Sequence, residues 1–170
     1  MPRRPVQTGA VISIRSAVAA DGPHLLALDR ATWSWDVAPV PLWAEDTDFF
    51  ERRSPEDVLV AEEDDRAVGY TTLGRPTPLE SNRHVLQIAG LSVDPACQGR
   101  GVGRQLIEAA IAEAIRRGAR KLSLRVLGPN ATAQALYVSC GFVVEGVQRE
   151  EFLLDGRYVD DVLMARPLNR

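Results

Sequence analysis

The sequence predicts an α/β fold, a single mixed domain, on three observations. Short β-rich runs alternate with segments of helical spacing along the whole chain, with no linker and no internal repeat. One strongly amphipathic segment, Val102–Arg117, sits in the middle of this order, between a long strand and a shorter one. The chain closes on two β-rich runs joined by Asp155-Gly156, a strong type I′ hairpin signal. At 170 residues, 45% apolar and 25% charged, the chain is long enough to bury a real core and ordinary for a globular protein.

Each element follows from local chemistry. Residues 1–10 read as a flexible tail, and the domain as 11–170. Val11–Arg15 is a short β-rich run, and Asp21-Gly22-Pro23 punctuates before His24–Ala31, where Leu25, Leu28 and Ala31 recur at helical spacing. Thr32–Trp43 is irregular, with Pro39 and Pro41, and Glu45–Arg52 reads as a short acidic helix. Val58–Glu62 and Ala67–Leu73 form strands around an Asp64-Asp65 turn. Val85–Val93 is a long strand whose interior Gly90 suggests a bulge. In Val102–Arg117, Val102, Leu106, Ile107, Ala110, Ile111, Ala114 and Ile115 make one wide apolar face, and Gly118 stops the helix. Lys121–Val126 alternates and ends at Gly128-Pro129. Asn130 caps a short helix running to about Cys140 and closed by Gly141. Val143–Leu154 and Tyr158–Ala165 form the last hairpin.

Composition narrows function. A net charge of −3 gives no reason to expect a nucleic-acid partner. Two distant cysteines, Cys97 and Cys140, and two histidines, His24 and His84, supply neither a disulfide framework nor a metal cluster, so no metal is expected. The N-terminus lacks the apolar stretch of a signal peptide and no run is long enough to span a membrane, which predicts a cytoplasmic protein without a membrane partner.

The chemistry concentrates in Leu91-Ser92-Val93-Asp94-Pro95-Ala96-Cys97-Gln98-Gly99-Arg100-Gly101-Val102-Gly103, where a strand leads through a glycine-rich turn into the long helix. Free N–H groups and the positive dipole end at a helix start attract anions, and glycines let the backbone come close to a ligand. Arg100 and Arg104 flank the turn and can add charge-assisted bonds. The P-loop pattern GxxxxGK[ST] is absent, and the following strand carries no acid of the kind a dinucleotide fold places on a ribose. The spacing instead fits Q/R-x-x-G-x-G/A at Gln98, Gly101 and Gly103. A second segment, Asn130-Ala131-Thr132-Ala133-Gln134-Ala135-Leu136-Tyr137 followed by Cys140-Gly141-Phe142, fits N-x-x-A-x-x-L-Y…G-F.

On these two motifs, in this order, the chain resembles the GCN5-related N-acetyltransferase (GNAT) superfamily over about residues 11–168. The resemblance implies a mostly antiparallel central sheet with flanking helices and two central strands that splay apart. It implies acetyl-CoA as co-substrate, held by Leu91, Ser92, Val93, Gln98, Gly99, Arg100, Gly101, Val102, Gly103, Arg104, Asn130 and Tyr137, with Asn130 explained equally well as a helix cap. It implies direct transfer of the acetyl group to a primary amine, a backbone N–H near Leu91 or Ser92 polarising the carbonyl, and Tyr137 protonating the departing thiolate. No covalent intermediate is needed, so both cysteines should be dispensable.

Two parts of the site stay open at this level. Family members often place a glutamate on the long strand; here His84-Val85-Leu86-Gln87-Ile88-Ala89 has none, which leaves Glu80, His84, Glu150 and Glu151 as bases acting through water. The acceptor side is implied to come from Trp33–Trp43, where Trp33, Trp35 and Asp36 can contact an amine and three tryptophans can equally plug the loop onto the core, and from the last hairpin. Asp36, Glu45, Asp46 and Asp48 can attract an ammonium or form a solvated acidic face. The acceptor is a small-molecule amine or a protein N-terminus, and pairing through late strands, as in many members, would make a homodimer. The competing readings are a catalytically silent CoA-binding module, favoured by the missing glutamate and opposed by Tyr137, and a dinucleotide-dependent oxidoreductase.

Overall fold

The structure is a computed structural model and describes residues 11–42, 44 and 47–168. The tail at 1–10, Trp43, Glu45 and Asp46 lie outside the described residues. The element order is β1 (Ser13–Ser16), α1 (Gly22–Thr32), β2 (Val58–Glu63), β3 (Arg66–Gly74), β4 (Val85–Val93), α2 (Val102–Arg116), β5 (Lys121–Leu127), α3 (Ala131–Ser139), β6 (Val143–Leu154) and β7 (Arg157–Pro167). One seven-stranded sheet has the order β1-β2-β3-β4-β5-β7-β6. Neighbours are antiparallel except β4 and β5, which run parallel.

Strand alternation sorts the sheet into two faces. One carries Leu59, Leu73, Leu86, Ile88, Leu122, Leu124 and Met164, which pack with Ile107, Ala110 and Ile111 of α2 and with Tyr137 of α3. The other carries Val58, Val60 and Tyr70, which pack with Leu25 and Leu28 of α1 and with Phe49. Both two-residue turns follow from local chemistry: Asp64 and Asp65 sit at φ 50° and 60°, Asp155 and Gly156 at 48° and 73°, the positive pairs of a type I′ hairpin.

Two expectations change. The short acidic helix over Glu45–Arg52 is not formed: among its described residues the chain makes turns, because the Asp48 carboxylate takes the Phe50 N–H at 2.9 Å and Phe49 turns inward, edge-on to Tyr70. Ile115, placed on the apolar face of α2, is 40% exposed, since it lies in the last turn beyond the sheet contacts.

Gly69 of β3 lies under the first turns of α2. A Cβ there would stand 2.9 Å from the Ser92 carbonyl oxygen and 3.2 Å from the Leu106 side chain. The nearest obstacle is backbone and cannot rotate away. Gly69→Ala should therefore destabilise the fold by about 1–3 kcal/mol, read as a lower urea midpoint at unchanged slope.

Candidate active site

The site begins where the sheet opens. β4 and β5 pair only from Val85–Lys121 to Ile88–Leu124. Opposite β3 the register jumps from Thr72–Gly90 to Leu73–Ile88, so Ala89 is an extra residue, a bulge beside Gly90. Beyond it β4 keeps β3 as its neighbour, while β5 continues with β7 through Leu127–Asp161. Among the described residues the β5-facing backbone of Gly90–Val93 thus has no strand partner, which suits pairing with an extended ligand.

The same strand delivers the glycine-rich turn. Asp94 fixes its start: its carboxylate accepts from the Ala96 N–H at 2.9 Å and from Arg66 at 2.6 Å. The Gln98 side-chain amide donates to the Val93 carbonyl at 3.1 Å. Gly99 and Gly101 take φ of 73° and 84°, and a Cβ on either would meet no protein atom within 4 Å. The first helical bond is Gln105 N–H to Gly101 carbonyl at 3.1 Å, and no backbone N–H from Gln98 to Arg104 donates to a protein group among the described residues. This is a row of unsatisfied donors around open space, at the positive end of a four-turn helix, and it suits a diphosphate. Gly103 has a different cause: a Cβ there would come 3.0 Å from Leu136, so it lets α3 approach α2.

The arginines are less free than their spacing suggests. Arg100 is held by the Glu63 carboxylate, with one contact at 3.1 Å and a second that is shorter, and it points Nη1 at the Cys97 sulfur at 3.5 Å. The guanidinium keeps the Glu63 carboxyl below its ordinary range, chiefly through this hydrogen bonding. Arg104 donates to the Ser139 hydroxyl at 2.9 Å and ties α2 to α3. Arg100→Ala should therefore weaken acetyl-CoA binding by less than about fivefold in calorimetry, because an exposed, already matched cation adds little.

Tyr137 lies on α3 with 7% of its surface exposed, its ring 5.7 Å from that of Phe142. Burial pushes the phenol above its ordinary range, so it stays protonated at any working pH, and its hydroxyl has no hydrogen-bond partner among the described residues. Asn130 spends its side-chain oxygen on the Ala133 N–H at 3.1 Å, as a cap. Cys97 and Cys140 are buried free thiols.

On the opposite face, Thr32 at the end of α1 and Ser92 share a 2.7 Å hydroxyl contact, which pins the start of the following loop to β4. Trp33 donates its indole N–H to the Val40 carbonyl at 3.0 Å and meets Trp35 edge-on at 5.0 Å. Trp35 packs on Leu127, Leu154 and Val159, and Asp36 pairs with Arg157 at 3.0 Å. The loop and the last hairpin thus meet beside the opening. Glu80 and His84 are not brought there. His84 precedes the β4–β5 rungs, about 13 Å along the strand from Ile88. Glu80 is exposed and paired with Arg83 at 2.8 Å and Arg75 at 3.7 Å. Glu150 and Glu151 lie in an irregular stretch of β6, where the Glu150 N–H donates to Asp160 at 2.9 Å and Glu150 takes φ 52°.

The model of the acetyltransferase (GNAT) family matches residues 23–142, which span the opened strands, the turn and Tyr137. The chain belongs to the GNAT family. It is 37% identical over 112 residues to the phosphinothricin N-acetyltransferase of Alcaligenes faecalis, covering 65% of this chain and 56% of that protein. It is 41% identical over 80 residues to the ribosomal protein bS18-alanine N-acetyltransferase of Escherichia coli K12, covering 46% and 53%. The chain therefore spans about half the length of these curated relatives. Among solved structures, yncA of Salmonella typhimurium, determined with its cofactor acetyl-CoA, superposes at a TM-score of 0.80 with 25% identity over 95% of this chain and 96% of that one.

Within the GNAT frame, several contacts around the opening escape sequence reasoning. Gln134 donates to the Leu127 and Gly128 carbonyls at 3.2 and 2.9 Å and holds the end of β5 against α3. Tyr70 donates to Asp29 at 2.5 Å beneath the bulge. Arg125, Asp161 and Gln148 form a cluster across β5, β7 and β6. No periodicity marks such pairs, and all but those of Gln134 join residues far apart in the chain.

Proposed function

We propose that this GNAT protein transfers an acetyl group from acetyl-CoA to the nitrogen of a primary amine, by direct attack in a ternary complex. The observation that carries the reading is the juxtaposition of an unpaired β4 edge with the unsatisfied N–H groups from Gln98 to Arg104. Such a pair suits an extended chain ending in a diphosphate. When bound, acetyl-CoA supplies the acetyl thioester. The turn from Gln98 to Gly103 grips the diphosphate, chiefly through backbone N–H groups. Leu91, Ser92 and Val93 pair with the extended arm, and an N–H of this segment donates to the carbonyl oxygen as charge develops on it. Tyr137 holds the proton that the departing sulfur requires. Trp33, Trp35 and Asp36 form the acceptor wall, Asp36 with its charge matched by Arg157.

The amine must shed a proton, since near pKa ~10 it is mostly an ammonium at neutral pH. β4 offers Gln87 and no carboxylate at the opening, so water carries that proton outward, to Glu150 or Glu151 of the last hairpin in preference to Glu80 and His84, which stand away from the opening. Activity should accordingly rise with pH as the free amine fraction grows. The acceptors of the relatives, phosphinothricin and a ribosomal-protein alanine, support an amine as substrate.

The test pairs calorimetry of CoA binding with thiol release from acetyl-CoA across an amine panel. Binding accompanied by amine-dependent release is expected. Binding with no release on any amine would favour a silent CoA module, and no binding at millimolar CoA would end the proposal.

A further inference from the structure

On the face of the sheet that carries α1, β5 presents Ser123, Arg125 and Leu127, β7 presents Asp161 and Leu163, and β6 presents Gln148. α1 packs chiefly on β3 and β4. The floor made by β5, β7 and β6 lies beside α1, and Trp35 packs on its Leu127 end. Arg125 is the first residue of β5 beyond the last rung with β4, so it stands at the point where the sheet opens.

Its guanidinium is held on one edge only. Nε donates to Asp161 Oδ2 at 2.5 Å, Nη2 contacts the same oxygen more closely, and Nη2 also donates to Gln148 Oε1 at 3.0 Å. Nη1 has no acceptor among the described residues. The two partners differ sharply in exposure, 2% for the Asp161 side chain and 47% for Arg125. A pair serving the core alone would bury both ends; here a buried carboxylate fixes an arginine whose far edge stays open to solvent. Nearby acids do not compete for that edge: Asp36 is matched by Arg157 at 3.0 Å and Asp160 by Arg149 at 2.6 Å. A rigid fork with free donors beside a reacting amine is a receptor for a planar anion on the same molecule.

We infer that Arg125 anchors a carboxylate of the acceptor, so that the substrate is a small amino-acid-type molecule whose amine reaches the opening while its acid rests on Nη1. A protein N-terminus carries an amide at that place and leaves the donors unmatched. The inference rests on the acetyl-transfer reading above. Asp161 and Gln148 are positioning residues, since they act through Arg125.

The experiment compares free L-amino acids, the same amino acids as C-terminal amides, and an alanine-led hexapeptide, all with acetyl-CoA. The intact protein should favour the acid over its amide by at least about tenfold in kcat/KM. Arg125→Gln should bring that ratio near one through the KM for the acid, with the KM for acetyl-CoA within twofold. Because the single change strands a buried carboxylate, Arg125→Gln is repeated with Asp161→Asn, and the melting temperature checks the fold. Equal use of acid and amide by the intact protein, or an equal fall on both in the variant, overturns the anchor. Acetylation of the hexapeptide alone overturns it too and leaves the transferase reading intact. Acetyl-CoA binding with no acetylation of any of the three classes overturns the anchor, and thiol release on another amine of the panel then leaves the transferase reading intact.

Discussion

Replacing Tyr137 with phenylalanine should lower turnover by about 10²-fold or more while leaving acetyl-CoA affinity nearly unchanged. The change removes one oxygen atom and leaves the ring against Phe142, so packing and melting temperature should barely move. The hydroxyl makes no hydrogen bond to the protein among the described residues, so no partner is stranded. What is lost is a protonated donor on a buried ring, since burial holds the phenol above its ordinary range. A phenol above ~10 is a weaker acid than a thiol of pKa ~8.5, so the hydroxyl acts chiefly by hydrogen-bonding the sulfur as negative charge builds on it. The loss should therefore fall on kcat and not on binding. Stopped-flow thiol release together with calorimetry separates the two, and unchanged turnover would remove Tyr137 from the chemistry.

The second large effect belongs to the turn. Gly101→Val should weaken acetyl-CoA binding by about 10²-fold. At φ 84° a β-branched residue is strained, at a cost of about 1–2 kcal/mol or somewhat more. No protein atom lies within 4 Å of the new Cβ, so the core is not disturbed and the side chain enters the space proposed for the diphosphate. Gly118→Val is the control. Gly118 has φ 78° and equally open surroundings, but it closes α2 at the far end from the turn. Both variants should lose similar stability, a few degrees in melting temperature. Only Gly101→Val should lose cofactor affinity. Equal affinities for the two proteins would mean that no anion is held at the helix start.

Much of the site is legible because it is local. The glycine turn, the strand before it and the helix after it occupy consecutive residues, and their spacing alone points to an anion. The Asn130 cap and the Asp155-Gly156 type I′ turn are likewise settled within four residues of chain. The acidic helix over Glu45–Arg52 failed because a charged run lacks its own reason to be helical, while Asp48 and Phe49 each have a better local or tertiary partner. Arg100 shows the same limit in the site itself. Its place beside the turn is read from sequence, and only the fold adds Glu63 as its partner there.

The sequence by itself determined the order of elements, the places of the turns, the Asn130 cap and the placement of Gln98–Gly103 and Tyr137, because these depend on hydrophobic period and on backbone preferences of nearby residues. Only the tertiary structure decided where the sheet opens, which carboxylates pair with Arg100 and Arg125, and how Asp36 reaches Arg157. Those outcomes depend on strand register and on pairs separated by 36 to 121 positions. Such pairs form only once the sheet has brought distant strands side by side, and no local pattern encodes that meeting.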